Sequence, residues 1–150
     1  MYRKLCMLLA VAALSACRPT VKAPVHDTFT KVGQADAILA LGYGATSKVV
    51  KTRGDYGWFK FDGRAGDEIA IDVKSANGDA VVFVLDGNDD VVAVNDDADA
   101  LTSDSHLTMT VPADGVYYIA FREYSFAPAR FTVALSGTPA PVTAADVNAR

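Results

Sequence analysis

The chain has 150 residues, enough for one domain with a sizeable core and too few for two. Its 14 Lys and Arg stand against 18 Asp and Glu, a net charge of −4 with no run of basic residues, which argues against nucleic acid as a partner because counterion release needs a basic patch. The two cysteines, Cys6 and Cys17, lie close to the amino terminus, so the remainder offers no thiol for a nucleophile, a disulfide or a zinc-thiolate site.

In chain order, Arg3 and Lys4 precede an apolar run from Leu5 to Leu14, and Ser15-Ala16-Cys17 follow. A positive segment, an apolar segment and small residues before a cleavage point make a secretory signal. Ten apolar residues at 1.5 Å rise span about 15 Å, roughly half the hydrocarbon core, so the run is too short for a transmembrane helix. Leu14-Ser15-Ala16-Cys17 resembles the lipobox of bacterial lipoproteins. The resemblance implies that residues 1–16 are a lipoprotein signal peptide, that the Cys17 thiol carries diacylglycerol, and that the new amino terminus is acylated by palmitate or a similar chain. Each buried methylene adds about 0.8 kcal/mol, so such an anchor binds the membrane far more firmly than one myristoyl group. Arg18 stands where an aspartate is associated with inner-membrane retention, which implies the outer membrane in a Gram-negative envelope. Removing 16 of the 150 residues would leave 134, with 12 basic and 18 acidic side chains and a net charge of −6.

Residues 17–27 carry the lipidated cysteine and two prolines without periodicity, and read as a tether that stays fairly extended. Residues 28–136 read as one all-β domain, a single β-sandwich of jelly-roll type with about eight strands, because short alternating segments recur between turn residues. Thr28 to Val32 and Lys48 to Thr52 suit strands; Asp36 to Leu41 fits helix or strand, and Gly42-Tyr43-Gly44 would break either. Phe59 and Phe61 alternate with Trp58, Lys60 and Asp62. Ile69, Ile71 and Val73 then alternate with Ala70, Asp72 and Lys74, giving one core face and one wet face. Ala80 to Leu85 is a continuous apolar run, expected of a central strand covered on both faces. Asp86-Gly-Asn-Asp-Asp90 is a turn before Val91 to Val94. Later strands are His106 to Val111, Val116 to Phe121 and Arg130 to Leu135. Residues 137–150, with Pro139 and Pro141, read as a flexible tail.

The aromatic strand Tyr56 to Phe61, the Gly-Asp turn with Ile69 and Ile71, the strand ending Val84-Leu-Asp-Gly-Asn-Asp89, the run Asn95-Asp-Asp97, and Ser105 to Ile119 come in an order that resembles the bacterial pre-peptidase C-terminal domain. The most recognisable part is Pro112-Ala-Asp-Gly-Val-Tyr-Tyr118, and the resemblance covers 56–135. It implies a small β-sandwich and a noncatalytic accessory module. Physically, Pro112 cannot donate a ladder hydrogen bond and ends its strand, and Asp114-Gly115 supplies the turn. Tyr118 is expected to enter the core with Val116 and Ala120 on its face.

Three sets of residues invite a functional reading. Asp86, Asp89, Asp90, Asp96, Asp97, Asp99 and Asp104 make a dense acidic stretch. Calcium takes six to eight oxygens, and Asp96, Asp97 and Asp99, with Asn95 and Asp104, are candidate ligands; solvated hairpin turns rich in Asp and Asn account for the same residues. Asp86-Gly-Asn88-Asp-Asp90 starts like an EF-hand loop, but Val91 replaces the required glycine and no glutamate follows in place. His106 beside Asp104 and Ser105 suggests a hydrolytic triad only superficially, since neighbours in a strand point to opposite faces and no Gly-x-Ser-x-Gly elbow exists. Among the aromatics Tyr43, Tyr56, Trp58, Tyr117 and Tyr124, alternation puts some outward; Trp58, Tyr117 and Tyr124 are candidates for stacking on an envelope protein or glycan. The same rings would also suit covering a sheet edge. Lys48 to Arg53, three cations in six residues, reads as a solvated strand edge. The leading expectation is a lipid-anchored, noncatalytic binding or scaffolding module. A calcium-dependent module and a secreted hydrolase are the alternatives.

Overall fold

A computed structural model describes residues 29, 38–99 and 101–141 of the chain. The lipobox, the tether and all of the expected first strand except Phe29 lie outside the described residues, and Phe29 itself is in irregular backbone. The described residues form nine strands: β1 (Ala45–Thr46), β2 (Val50–Lys51), β3 (Gly57–Gly63), β4 (Glu68–Ser75), β5 (Ala80–Leu85), β6 (Val91–Asn95), β7 (Ser105–Thr110), β8 (Gly115–Glu123) and β9 (Arg130–Thr138). They build two antiparallel sheets, ordered β1-β9-β4-β7 with β2 also on β9, and β3-β8-β5-β6. No described residue is helical, and no helix among them is long and apolar enough to cross a membrane.

The two sheets stack because alternation gives each a continuous apolar face. Phe59 and Phe61 of β3, Val82 and Val84 of β5 and Ile119 and Phe121 of β8 meet Ile71, Val73, Phe131 and Val133 of the other sheet, all buried. At about 1.5–3 kcal/mol per fully buried large apolar side chain, this layer dominates the stabilisation. Aromatic packing orders it further: Phe121 stacks on Phe59 with centroids 5.9 Å apart and meets Phe131 edge-on at 5.4 Å. Gly57, opposite Phe121 in the ladder, leaves room for that ring, which would collide with any Cβ there.

Two expectations are corrected. Tyr118 does not enter the space between the sheets. The register Gly63↔Gly115 and Phe61↔Tyr117 puts Tyr117, Ile119 and Phe121 inward, and Val116 is exposed. Strand β8 is apolar on both faces, so alternation there carries no information about which face is inner. The tail also begins later than residue 137: β9 continues to Thr138, pairing with Glu68. Beyond it, the Ala140 amide donates to Asp67 Oδ1 at 2.8 Å. Asp67 is buried, and its other oxygen accepts from Tyr43 Oη at 2.8 Å and the Arg64 amide at 3.1 Å. These donors, the Ala140 amide foremost, outweigh desolvation and hold its carboxyl below the usual range. The Tyr43 hydroxyl is raised, by burial first and by its bond to Asp67 second.

Candidate binding surface

The second face of the four-stranded sheet is apolar at its centre, as the unbroken apolar run of β5 requires, while Lys60 and Asp62 of β3 and the exposed Val92 and Val94 of β6 lie at its edges. Val81, Phe83, Leu85 and Ala120 form a separate buried cluster, roofed by Phe29, Tyr56, Trp58, Tyr118 and Tyr124. Phe29 sits edge-on to Tyr56, Trp58 and Phe83, with centroids 5.2, 5.7 and 5.1 Å away. Each roofing ring is only partly covered, so this face presents aromatic edges to solvent.

At one end of this roof stands Phe126. Its φ is +59°, left-handed and rare for a bulky side chain, at a cost of about 1–3 kcal/mol. The conformation is over-determined by its neighbours. Glu123 Oε2 accepts from the Ser125 amide at 2.7 Å and the Ala127 amide at 2.9 Å, and the Phe126 amide donates to the Glu123 carbonyl at 3.1 Å. Gly54, at φ +91°, lets the Phe126 carbonyl come closer than any Cβ would allow. The ring is 48% exposed, while one side rests on the guanidinium of Arg122, 4.1 Å from its centroid. Arg122 is itself only 3% exposed and donates through Nη1 to the carbonyls of Glu123 at 3.0 Å and Tyr124 at 2.7 Å. Tyr56 meets Phe126 edge-on at 6.0 Å. A half-exposed ring on a buried cation, in a loop closed by a buried carboxylate, has few rotamers left to freeze.

The residues expected from sequence distribute unevenly over this geometry. Trp58 and Tyr124 belong to the roof. Tyr117 does not: it is 2% exposed, stacks on Phe61 at 5.5 Å and donates its hydroxyl to the Ala113 carbonyl at 2.8 Å, so it is a core residue. The doubly apolar β8 that reverses Tyr118 reverses Tyr117 as well. Phe126 and Arg122 lie outside the residues expected from sequence. The available signal was a large aromatic in the turn-rich stretch Ser125-Phe-Ala-Pro128, where a residue with no core to fill is exposed.

The acidic residues serve mainly their own turns. Asp86 Oδ1 accepts from the Asn88 amide at 2.8 Å and the Asp90 amide at 3.0 Å, which hold its carboxyl below the ordinary range, the Asn88 amide foremost. Asp99 accepts from the Leu101 amide and Asp104 from the Ser75 amide, while Asn95 Oδ1 accepts from the His106 amide. Asp96 keeps one buried oxygen without a partner, and Asp97 has contacts of its own. Among the described residues, no three His, Cys, Asp or Glu side chains gather in a metal-holding group. Ser105 and His106 face opposite ways. The Ser105 hydroxyl is buried on the carbonyls of Ala80 and Asn95, whereas His106 Nδ1 lies 2.7 Å from Asp72 Oδ1 on the exposed outer face of β4. They form no triad with Asp104.

Comparison with known proteins places this geometry. Residues 55–122 match the family model of the bacterial pre-peptidase C-terminal domain. A probable subtilase-type serine protease of Deinococcus radiodurans is 39% identical over 70 residues, which cover 43% of this chain and 9% of that protein. The chain thus spans under a tenth of that relative's length. Among solved structures, the pre-peptidase C-terminal domain of a Bacillus anthracis collagenase superposes with a TM-score of 0.55 at 13% identity, covering 66% of this chain and 94% of that one. A periplasmic inhibitor of g-type lysozyme from Aeromonas hydrophila reaches a TM-score of 0.49 at 16% identity, covering 67% and 97%. The segment 55–122 is therefore similar to the bacterial pre-peptidase C-terminal domain, and the chain shares its fold with the collagenase domain.

Proposed function

We propose that this chain is an exported, lipid-anchored accessory module of the bacterial cell envelope that binds a partner and catalyses nothing itself. The observation that carries the reading is Phe126, held left-handed and half-exposed over the buried Arg122 at the edge of an aromatic roof. Strain of that kind persists where a conformation is needed for recognition, and aromatic residues beside Arg are the usual anchors of protein interfaces. The occurrence of a related segment within a much longer probable protease supports an accessory role. Leu14 to Cys17 supports anchorage, with Cys17 as the lipidated residue and the outer membrane as its site in a Gram-negative envelope. The partner is an envelope protein, which an apolar patch of its own would seat on Phe126 and Trp58; a glycan read by the same rings is the alternative.

The test has two arms. Cys17→Ser should abolish lipid labelling and move the chain from the membrane to the soluble fraction, and unchanged retention would remove the anchor from the account. Photoreactive residues at Trp58 and Tyr124, introduced one at a time in living cells, should capture one protein in common. Adducts that differ between the two positions, or capture of carbohydrate alone, would contradict the protein partner.

A further inference from the structure

We infer that a second, separate site on this molecule binds a phosphate group, in the groove between β2, the β4–β5 turn and the start of β9. The groove encloses about 520 Å³, and its lining includes Lys51, Thr52, Arg53, Asn77 and Arg130 but no carboxylate. Three cations thus converge in a chain whose net charge is −4. Two of them are cross-strand partners: the β2–β9 ladder pairs Lys51 directly with Arg130. Like charges opposite one another destabilise a sheet, and no acid relieves this pair, since the Lys51, Arg53 and Arg130 side chains have no ion-pair partner among the described residues. The nearest acid in sequence, Asp55, accepts from the Arg53 backbone amide at 2.8 Å.

The scaffold around these cations is fixed. Asn77 clamps the base of the groove, its Nδ2 donating to the Pro128 carbonyl at 3.3 Å and its Oδ1 accepting from the Arg130 amide at 3.0 Å. The Thr52 amide donates to the Ala129 carbonyl at 2.9 Å. Thr52, one residue from Lys51, is 6% exposed and turns its side chain to the opposite side of the strand, so the groove is lined by the outward cations. Three cations with no ion-pair partner among the described residues, two of them held in cross-strand register, point to an oxyanion. Phosphate fits this set: it offers several acceptor oxygens, it suits the planar fork of Arg53 and Arg130, and its charge offsets the Lys51–Arg130 repulsion. The source is either a lipid headgroup or a soluble phosphate. The site does not depend on the partner proposed for Phe126.

The full chain, held at constant ionic strength with chloride, is titrated with inorganic phosphate and with glycerol 3-phosphate while the amides of Thr52, Asn77 and Arg130 are followed by NMR. Saturable shifts confined to this groove are expected, with a rise in Tm. In Lys51→Gln/Arg130→Gln the affinity should fall about tenfold or more, while Tm without anion stays level or rises as repulsion is removed. Arg53→Gln should weaken phosphate binding several-fold without lowering Tm. Vesicles of phosphatidylcholine with and without phosphatidylglycerol, offered to Cys17→Ser so that no lipid anchor holds the chain on either, separate the sources. Retention only on the anionic vesicles, lost in the double variant, assigns the headgroup, and no retention alongside soluble binding assigns free phosphate. Equal shifts with chloride alone, phosphate shifts that survive the double variant, or a lower anion-free Tm in that variant would overturn the site.

Discussion

Both faces of the β3-β8-β5-β6 sheet bury apolar side chains, yet they are built differently. The inner face is packed from aliphatic and aromatic residues against a second sheet, with large side chains that are fully buried. The outer face has a smaller buried cluster under rings that are themselves partly exposed, a buried guanidinium, and one residue at an unfavourable backbone angle. The first arrangement maximises burial. The second leaves aromatic surface accessible, as the proposed binding role requires.

If the faces differ in this way, mutations should separate them. Phe121→Ala on the inner face should cost about 3–5 kcal/mol, read by denaturant unfolding, because it opens a cavity between Phe59 and Phe131. Asp67→Asn should cost about 2–3 kcal/mol, since three donors now meet a neutral amide. Its pH signature sharpens the point. The folded-state carboxyl lies below its unfolded value near 4, so as pH falls the unfolded chain takes the proton first. The stabilisation is complete above about pH 5 and is lost as pH falls through the lower folded value, and Asp67→Asn should flatten that acid limb of the stability curve.

On the outer face the effects are smaller and of mixed sign. Phe126→Ala keeps the left-handed strain and loses the ring's contacts with Arg122 and Tyr56, so Tm should fall by the equivalent of about 1 kcal/mol. Phe126→Gly removes both the strain and the ring and should be more stable than Phe126→Ala; the reverse order in thermal melts would show that the backbone is unstrained. On the exposed face of the other sheet, His106→Ala, which breaks the pair with Asp72, should change stability by less than about 1 kcal/mol.

Much of this architecture is legible in the sequence, because half-buried strands announce themselves by alternation. The strands β3 to β9 fall close to the expected segments, and β5 was marked as covered on both faces by its unbroken apolar run. The same property hid the orientation of β8. With Val116 to Phe121 apolar throughout, either parity satisfies the pattern, and only the ladder to β3 decides that Tyr117 is inner and Tyr118 outer. The proposed binding surface is half legible. Trp58 and Tyr124 stand out as outward aromatics, but the burial of Arg122 and the backbone angle of Phe126 follow from tertiary contacts with no local signature. The basic groove shows the same limit. Lys51 and Arg53 looked like a solvated edge until the β2–β9 pairing placed Arg130, distant in sequence, directly opposite Lys51.

The most direct test of the central claim is the yield of in-cell cross-linking from a photoreactive residue at Tyr124, compared between the otherwise native chain and its Phe126→Gly variant at matched folded abundance. If the outer aromatic face is the recognition surface, the specific adduct is lost in Phe126→Gly while the protein stays folded and in the same cell fraction. An undiminished adduct in that variant would contradict it.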